Sequence, residues 1–137
     1  RFWSPRNAGF RSEAMNEGAL VVATDPQLRA AFRAAAIERA AAIEAGRHRK
    51  ANREFDNLVS ISRELLARGV PGQRIMVEMM ADEHPAVRLT AAIKSLAFAP
   101  EQAEEVLVAA SRGTAGPLRL VAELTLVEWR AGRMRAE

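Results

Sequence analysis

The 137-residue sequence predicts an all-α chain of about six helices paired as antiparallel hairpins, and three observations carry that expectation. Ala, Leu, Glu and Arg dominate, aromatics make up only 5%, and Tyr is absent; the dominant residues lose little rotamer freedom in a helix. Apolar residues recur at three- and four-residue steps, while β-branched residues never gather into alternating runs. Gly and Pro punctuate the periodic stretches as helix stops and starts. A chain of this length fits one domain and buries about 65–70% of the surface its unfolded form exposes.

Taken in order, residues 1–24 read as a leader, disordered or foreign to the native chain, and 25–137 as a single α-helical domain. Residues 1–14 precede the first Met, at position 15, and mix Pro5 and Gly9 without a helical period. The alternative is an arm docking through Phe2, Trp3 and Phe10. Asp25 as N-cap and Pro26 at the first helical position open a long helix. It carries Leu28, Phe32, Ala35, Ala36, Ala40 and Ile43 on one face and stops near Gly46. A second helix begins near Arg47, carries Phe55, Leu58, Val59, Ser62, Leu65 and Leu66, and closes at Gly69 before Pro71. Four shorter helices follow: Gln73 to Met80, Pro85 to about Ala97, Glu101 to Ser111, and one opened by Pro117 and ended by Gly132. Met76, Met79 and Met80 read as core rather than as an adaptable partner surface.

A period of 31 residues relates Arg88 to Arg119, Leu89 to Leu120 and Ala91 to Ala122 once one residue is dropped. Hairpins of that length bury their apolar faces by stacking, and small Ala residues allow close approach. The stretch from Met80 to Leu96, with Asp82 in a turn, Pro85 at a helix start and Val87-Arg88 ahead of Ala91-Ala92, resembles a HEAT repeat. That resemblance implies a HEAT/armadillo-like right-handed stack, with Arg88 bridging toward Asp82 or a neighbouring turn. A guanidinium has donors enough for a carboxylate and helix-end carbonyls together. Trp129, on the last helix, is expected to seal the end of the stack.

A wider pattern includes Arg47 to Arg53, Phe55-Asp56, Leu58-Val59, His84-Pro85-x-Val87-Arg88-Leu89-x-Ala91-Ala92, Ala99-Pro100-Glu101-x-Ala103 and Ala122-Glu123-Leu124-Thr125-Leu126-x-Glu128-Trp129-x-x-Gly132. It resembles a small bacterial family catalogued as domain of unknown function 2019. The resemblance runs from about residue 47 to 134; it implies a helical repeat fold and supplies no activity.

Charge narrows the partners. The formal net charge is +3, of which residues 1–14 hold +2 (Arg1, Arg6 and Arg11 against Glu13), leaving +1 for the rest. Only Lys50 and Lys94 are lysines; the other basic residues are Arg, which with the Ala content suits a GC-rich bacterial coding sequence. The absence of Cys rules out disulfides and thiolate chemistry and suits a cytoplasmic setting. No signal peptide or membrane-length apolar run is apparent. The histidines, His48 and His84, have no carboxylate or second His at helical spacing, so no metal or other cofactor is expected. Glu101, Glu104, Glu105, Glu123 and Glu128 read as solvated helix faces. Gly69-Val70-Pro71-Gly72 reads as a turn and lacks the residues of a phosphate loop.

The surface feature that stands out is Arg47, His48, Arg49, Lys50 and Arg53, with Arg39 before it. Cations at a helix start oppose the macrodipole, which points to another use for them. We therefore expect a non-enzymatic protein-interaction module that docks its partner at Arg47, Arg49, Lys50 and Arg53, with Asp82, Arg88, Arg119 and Trp129 structural. A homo-oligomer is compatible with the pattern. Alternatives are an immunity-type protein that occludes a toxin, and a weak binder of nucleic-acid backbone, against which the body's small net charge argues. An enzyme would require Arg88, Glu123 and His84 to converge in one pocket.

Overall fold

The computed structural model describes residues 17–113 and 116–134, which hold seven helices and no strand. They are α1 (Glu17–Val22), α2 (Asp25–Glu44), α3 (His48–Ala67), α4 (Val70–Met79), α5 (Pro85–Ser95), α6 (Pro100–Ser111) and α7 (Pro117–Arg130). The extra helix against the six expected is α1, which falls inside the stretch read as leader and buries Leu20. Residues 1–16, including the arm of Phe2, Trp3 and Phe10, lie outside the described residues. The chain divides into two compact units between Ile75 and Met76.

In the first unit, α2 and α3 form a long antiparallel hairpin. The start of α2 corrects the expected cap by one residue: Thr24, not Asp25, is the N-cap. The Thr24 hydroxyl accepts from the Gln27 backbone N–H at 3.2 Å, and the Thr24 N–H donates to Gln27 Oε1 at 2.8 Å. That reciprocal pair satisfies two orphan donors and leaves the Asp25 carboxylate free for another partner. Leu28, Phe32, Leu58, Ile61 and Leu65 are all 2% exposed or less, and each contributes about 1.5–3 kcal/mol by leaving water. Ala31, Ala35 and Ala36 lie buried on the same side of α2. At its end, Gly46 takes φ +72°, and Arg47 and Gly46 donate back to the carbonyls of Ala42 and Ile43 at 2.8 and 3.1 Å. This left-handed turn costs a glycine nothing and reverses the chain within three residues.

The face α3 buries differs from the one expected. Ala51, Glu54, Asn57, Leu58, Ile61, Ser62 and Leu65 are buried, whereas Phe55 is 46% exposed. Counting back four from Leu58 and seven from Ile61 gives Glu54, so helical geometry carries a carboxylate inward and turns Phe55 out. The Phe55 ring is instead covered by Arg39, whose guanidinium carbon stands 5.2 Å from the ring centroid.

Arg68 closes the unit. Its guanidinium donates to Glu64 Oε2 at 2.9 Å, Asp25 Oδ1 at 2.8 Å, and the Leu20 and Val21 carbonyls at 3.0 and 3.3 Å. One side chain thereby joins the end of α3, the start of α2 and the end of α1. Burial pulls its pKa down, but Asp25 and Glu64 outweigh that and hold it above its ordinary value. Beyond this corner, α4 returns so closely that a Cβ on Gly72 would stand 1.6 Å from the Leu65 carbonyl oxygen.

The second unit packs α5, α6 and α7 together. Each opens with a proline, Pro85, Pro100 and Pro117, whose missing N–H would be unsatisfied there anyway. Val87, Ala91, Ala92, Leu96, Ala103, Leu107, Ala122 and Leu126 form its core. Met76, Met79 and Met80 are buried as well.

Two substitutions test this account. Replacing Arg68 by Ala should cost about 2–3 kcal/mol in denaturant unfolding, and Lys should recover little, because a point charge cannot reach four acceptors as a planar fork does. Gly72→Ala should cost about 1–3 kcal/mol, since a methyl must displace backbone rather than a flexible side-chain tip.

Candidate functional site

The turn at Gly46 delivers the chain to Arg47, the N-cap of α3, which makes no side-chain capping bond. No acidic residue occupies the first turn that follows. The N–H groups there point outward at the positive end of the helix dipole. Around that end Arg47, His48, Arg49, Lys50 and Arg53 line one open depression. All but the half-buried Lys50 are exposed.

These cations do not have equal freedom. Lys50 Nζ is bonded to Glu38 Oε1 at 2.7 Å and ties α3 to α2. Of the four residues expected to meet a partner, it is the one already committed. Arg47, Arg49 and Arg53 are in no ion pair among the described residues. Arg39, read beside this cluster in the sequence, lies against Phe55, and burial lowers its pKa.

Behind the cations sits a buried polar group that sequence reasoning missed. Glu54 is 1% exposed; its Oε1 accepts from Asn57 Nδ2 at 3.2 Å, and its Oε2 has no hydrogen-bond partner. Burial raises its pKa, the Asn57 hydrogen bond opposes that rise, nearby Glu38 adds to it, and Lys50 and Arg53 work against it. The signal was present in the four-residue step back from Leu58, though the apolar Phe55 next door masked it.

The residues given structural roles are placed as follows. Asp82 Oδ2 accepts from the His84 backbone N–H at 2.8 Å, and His84 Nδ1 accepts from the Ala86 N–H at 3.1 Å as the N-cap of α5. Arg88 donates to the carbonyls of Asp82 and Glu83 at 2.9 and 3.0 Å, so it reaches the Asp82 backbone rather than the carboxylate. Arg119, its counterpart in the 31-residue period, stands 3.7 Å from Glu123 in an exposed i,i+4 pair. Trp129 donates through Nε1 to Glu104 at 3.1 Å and joins α7 to α6. Among the described residues no three His, Cys, Asp or Glu side chains are grouped to hold a metal ion. No described helix is long and apolar enough to cross a membrane.

The Glu54 carboxyl yields a pH prediction. With its folded pKa raised above the ordinary 4.5, the folded chain favours the protonated form. Its contribution is complete below the unfolded value and is lost as pH rises through the folded one. Glu54→Gln, which fixes the neutral form, should therefore melt higher than the parent at pH 8. The gap should close as pH falls to about 4, below which the parent carboxyl is neutral too. Melting curves across that range check it.

Comparison with known proteins agrees with this architecture. No curated protein matches the chain. A crystal structure of the protein RPA1889 from Rhodopseudomonas palustris is similar, with a TM-score of 0.80 at 27% identity, covering 86% of this chain and 98% of that one. The sequence pattern of the family described as Domain of unknown function (DUF2019) matches residues 26–127, from the first turn of α2 into the last helix. The chain belongs to that family.

Proposed function

We propose that the chain is a protein-interaction module, a bacterial cytoplasmic domain of HEAT-like hairpins that docks an acidic partner on the depression at the start of α3. The observation that carries this reading is the set of three exposed arginines, Arg47, Arg49 and Arg53, around one helix start, none in an ion pair among the described residues. Keeping them there opposes the helix dipole, and a bound carboxylate would reverse the sign of that term. Guanidinium groups grip carboxylates through paired N–H donors, which suits acidic side chains of a partner. Lys50 and Glu38 brace the floor from below, so the partner meets a pre-set surface.

The test replaces Arg47, Arg49 and Arg53 together by Ala and measures retention of immobilised polyglutamate. Each residue is exposed, so the melting temperature should stay within a few degrees. Binding should fall by about tenfold or more, and the parent's binding should weaken with added salt. Equal retention by parent and variant would remove this surface. Retention of DNA or RNA in low-salt electrophoresis, with none of polyglutamate, would move the assignment to nucleic-acid backbone.

A further inference from the structure

Three large apolar side chains of α7 are more than half exposed: Leu120 at 55%, Leu124 at 56% and Val127 at 58%. Their spacing is four and then three. Extended one step each way, the same alternation reaches Pro117 and Ala131, both exposed. This is the a/d pattern of a two-helix seam, about 21 Å long at 1.5 Å per residue. The opposite face of α7 is already used, since Ala122 and Leu126 are buried and Trp129 is bonded to Glu104 on α6. A helix that ends a stack of helices ordinarily presents a polar outer face. Here the outer face is apolar along its whole length, and its large side chains stay open among the described residues.

We propose that α7 pairs with α7 of a second copy of this chain, in antiparallel orientation about a two-fold axis. The choice of occupant comes from the charges beside the seam. Glu123 and Arg130 lie seven residues apart on one flank, and both are exposed. Reversing a second copy about a point between Leu124 and Val127 sets Leu124 against Val127 and Leu120 against Ala131. The same operation brings Glu123 of each copy beside Arg130 of the other, giving two opposite-charge pairs. A parallel pairing would instead face Glu123 toward Glu128, like against like. The present partners of these residues are loose and near the surface: Arg119 stands 3.7 Å from Glu123, and Glu104 stands 3.6 Å from Arg130. Both can be shared with a second copy without opening the hairpin. A single four-turn helix face buries less than the ~1,200 Å² typical of stable complexes, so the dimer is a weak one, in the micromolar-to-millimolar range. This surface is separate from the basic depression, and neither proposal depends on the other.

Sedimentation velocity of the full chain from about 10 µM to about 1 mM tests it. The parent should move from one-chain to two-chain mass across that range. Leu124→Glu should stay at one-chain mass with an unchanged far-ultraviolet circular dichroism spectrum, because the side chain it replaces lies outside the core. Glu123→Arg and Arg130→Glu should each weaken the dimer about tenfold, as two pairs per dimer turn repulsive, and the double exchange should restore it. A parent that remains one chain at the highest concentration would overturn the proposal and leave the stripe to a different protein. A dimer indifferent to Leu124→Glu, or charge reversals that the double exchange does not rescue, would overturn it equally.

Discussion

The first unit depends on one guanidinium. Arg68 sits just past the end of α3, where carbonyls and carboxylates from three helices converge, and it gives a donor to each. Apolar burial alone would hold α2 against α3, since both expose a continuous stripe to the other. It would not fix where short α1 ends or how the N-terminal turn of α2 sits beside the far end of α3. Directional bonds do that, and the one-residue shift of the cap to Thr24 makes them available by releasing Asp25. The capping chemistry that starts α2 and the ion pairing just past α3 thus meet at the same end of the hairpin as parts of one arrangement.

The opposite end of the hairpin is built on a different balance. There the turn at Gly46 forces α3 to begin among cations, with no side-chain cap to quiet its N–H groups. One turn inside, a carboxyl group is buried with one oxygen unpartnered. Both features cost stability by ordinary rules of helix and core design, and they lie on consecutive turns of the same helix. Proteins accept such costs most often where a surface has work beyond folding. The Lys50–Glu38 pair spans the two features and limits how far either can relax.

Much of this was legible from residue order. The helices beginning at Pro85 and Pro117 start where proline requires, and the core positions Leu28, Phe32, Leu58 and Leu65 follow from a period of 3.6. The basic cluster could be read because its residues are neighbours in sequence as well as in space. What was hidden depended on competition between adjacent positions. Thr24 and Asp25 are both good caps, and only the glutamine three residues after Thr24 decides between them. Phe55 looks like core until the wheel is anchored at Ile61, which hands the place to Glu54. The α1 helix is short and sits beside a segment without periodicity, so propensity gave it no voice. Arg88 and Arg119 share a place in the 31-residue sequence period yet not a role, because the turn carbonyls of Asp82 and Glu83 hold the first, while the second stands beside Glu123.

The hairpin of α2 and α3 also has a bearing on how the chain folds. Its two helices are joined by three residues, so their contacts close short loops and can form on the microsecond scale of local structure. The bonds from Arg68 to Leu20, Val21 and Asp25 span 43 to 48 residues and cannot form until the hairpin has already brought its ends together. The chain entropy of closing those long loops is met largely by the hairpin, and the Arg68 bonds add to a loop already closed. Substitutions at the α1 corner are accordingly expected to act mainly on the unfolding rate, and substitutions on the alanine-lined face of α2 on the folding rate.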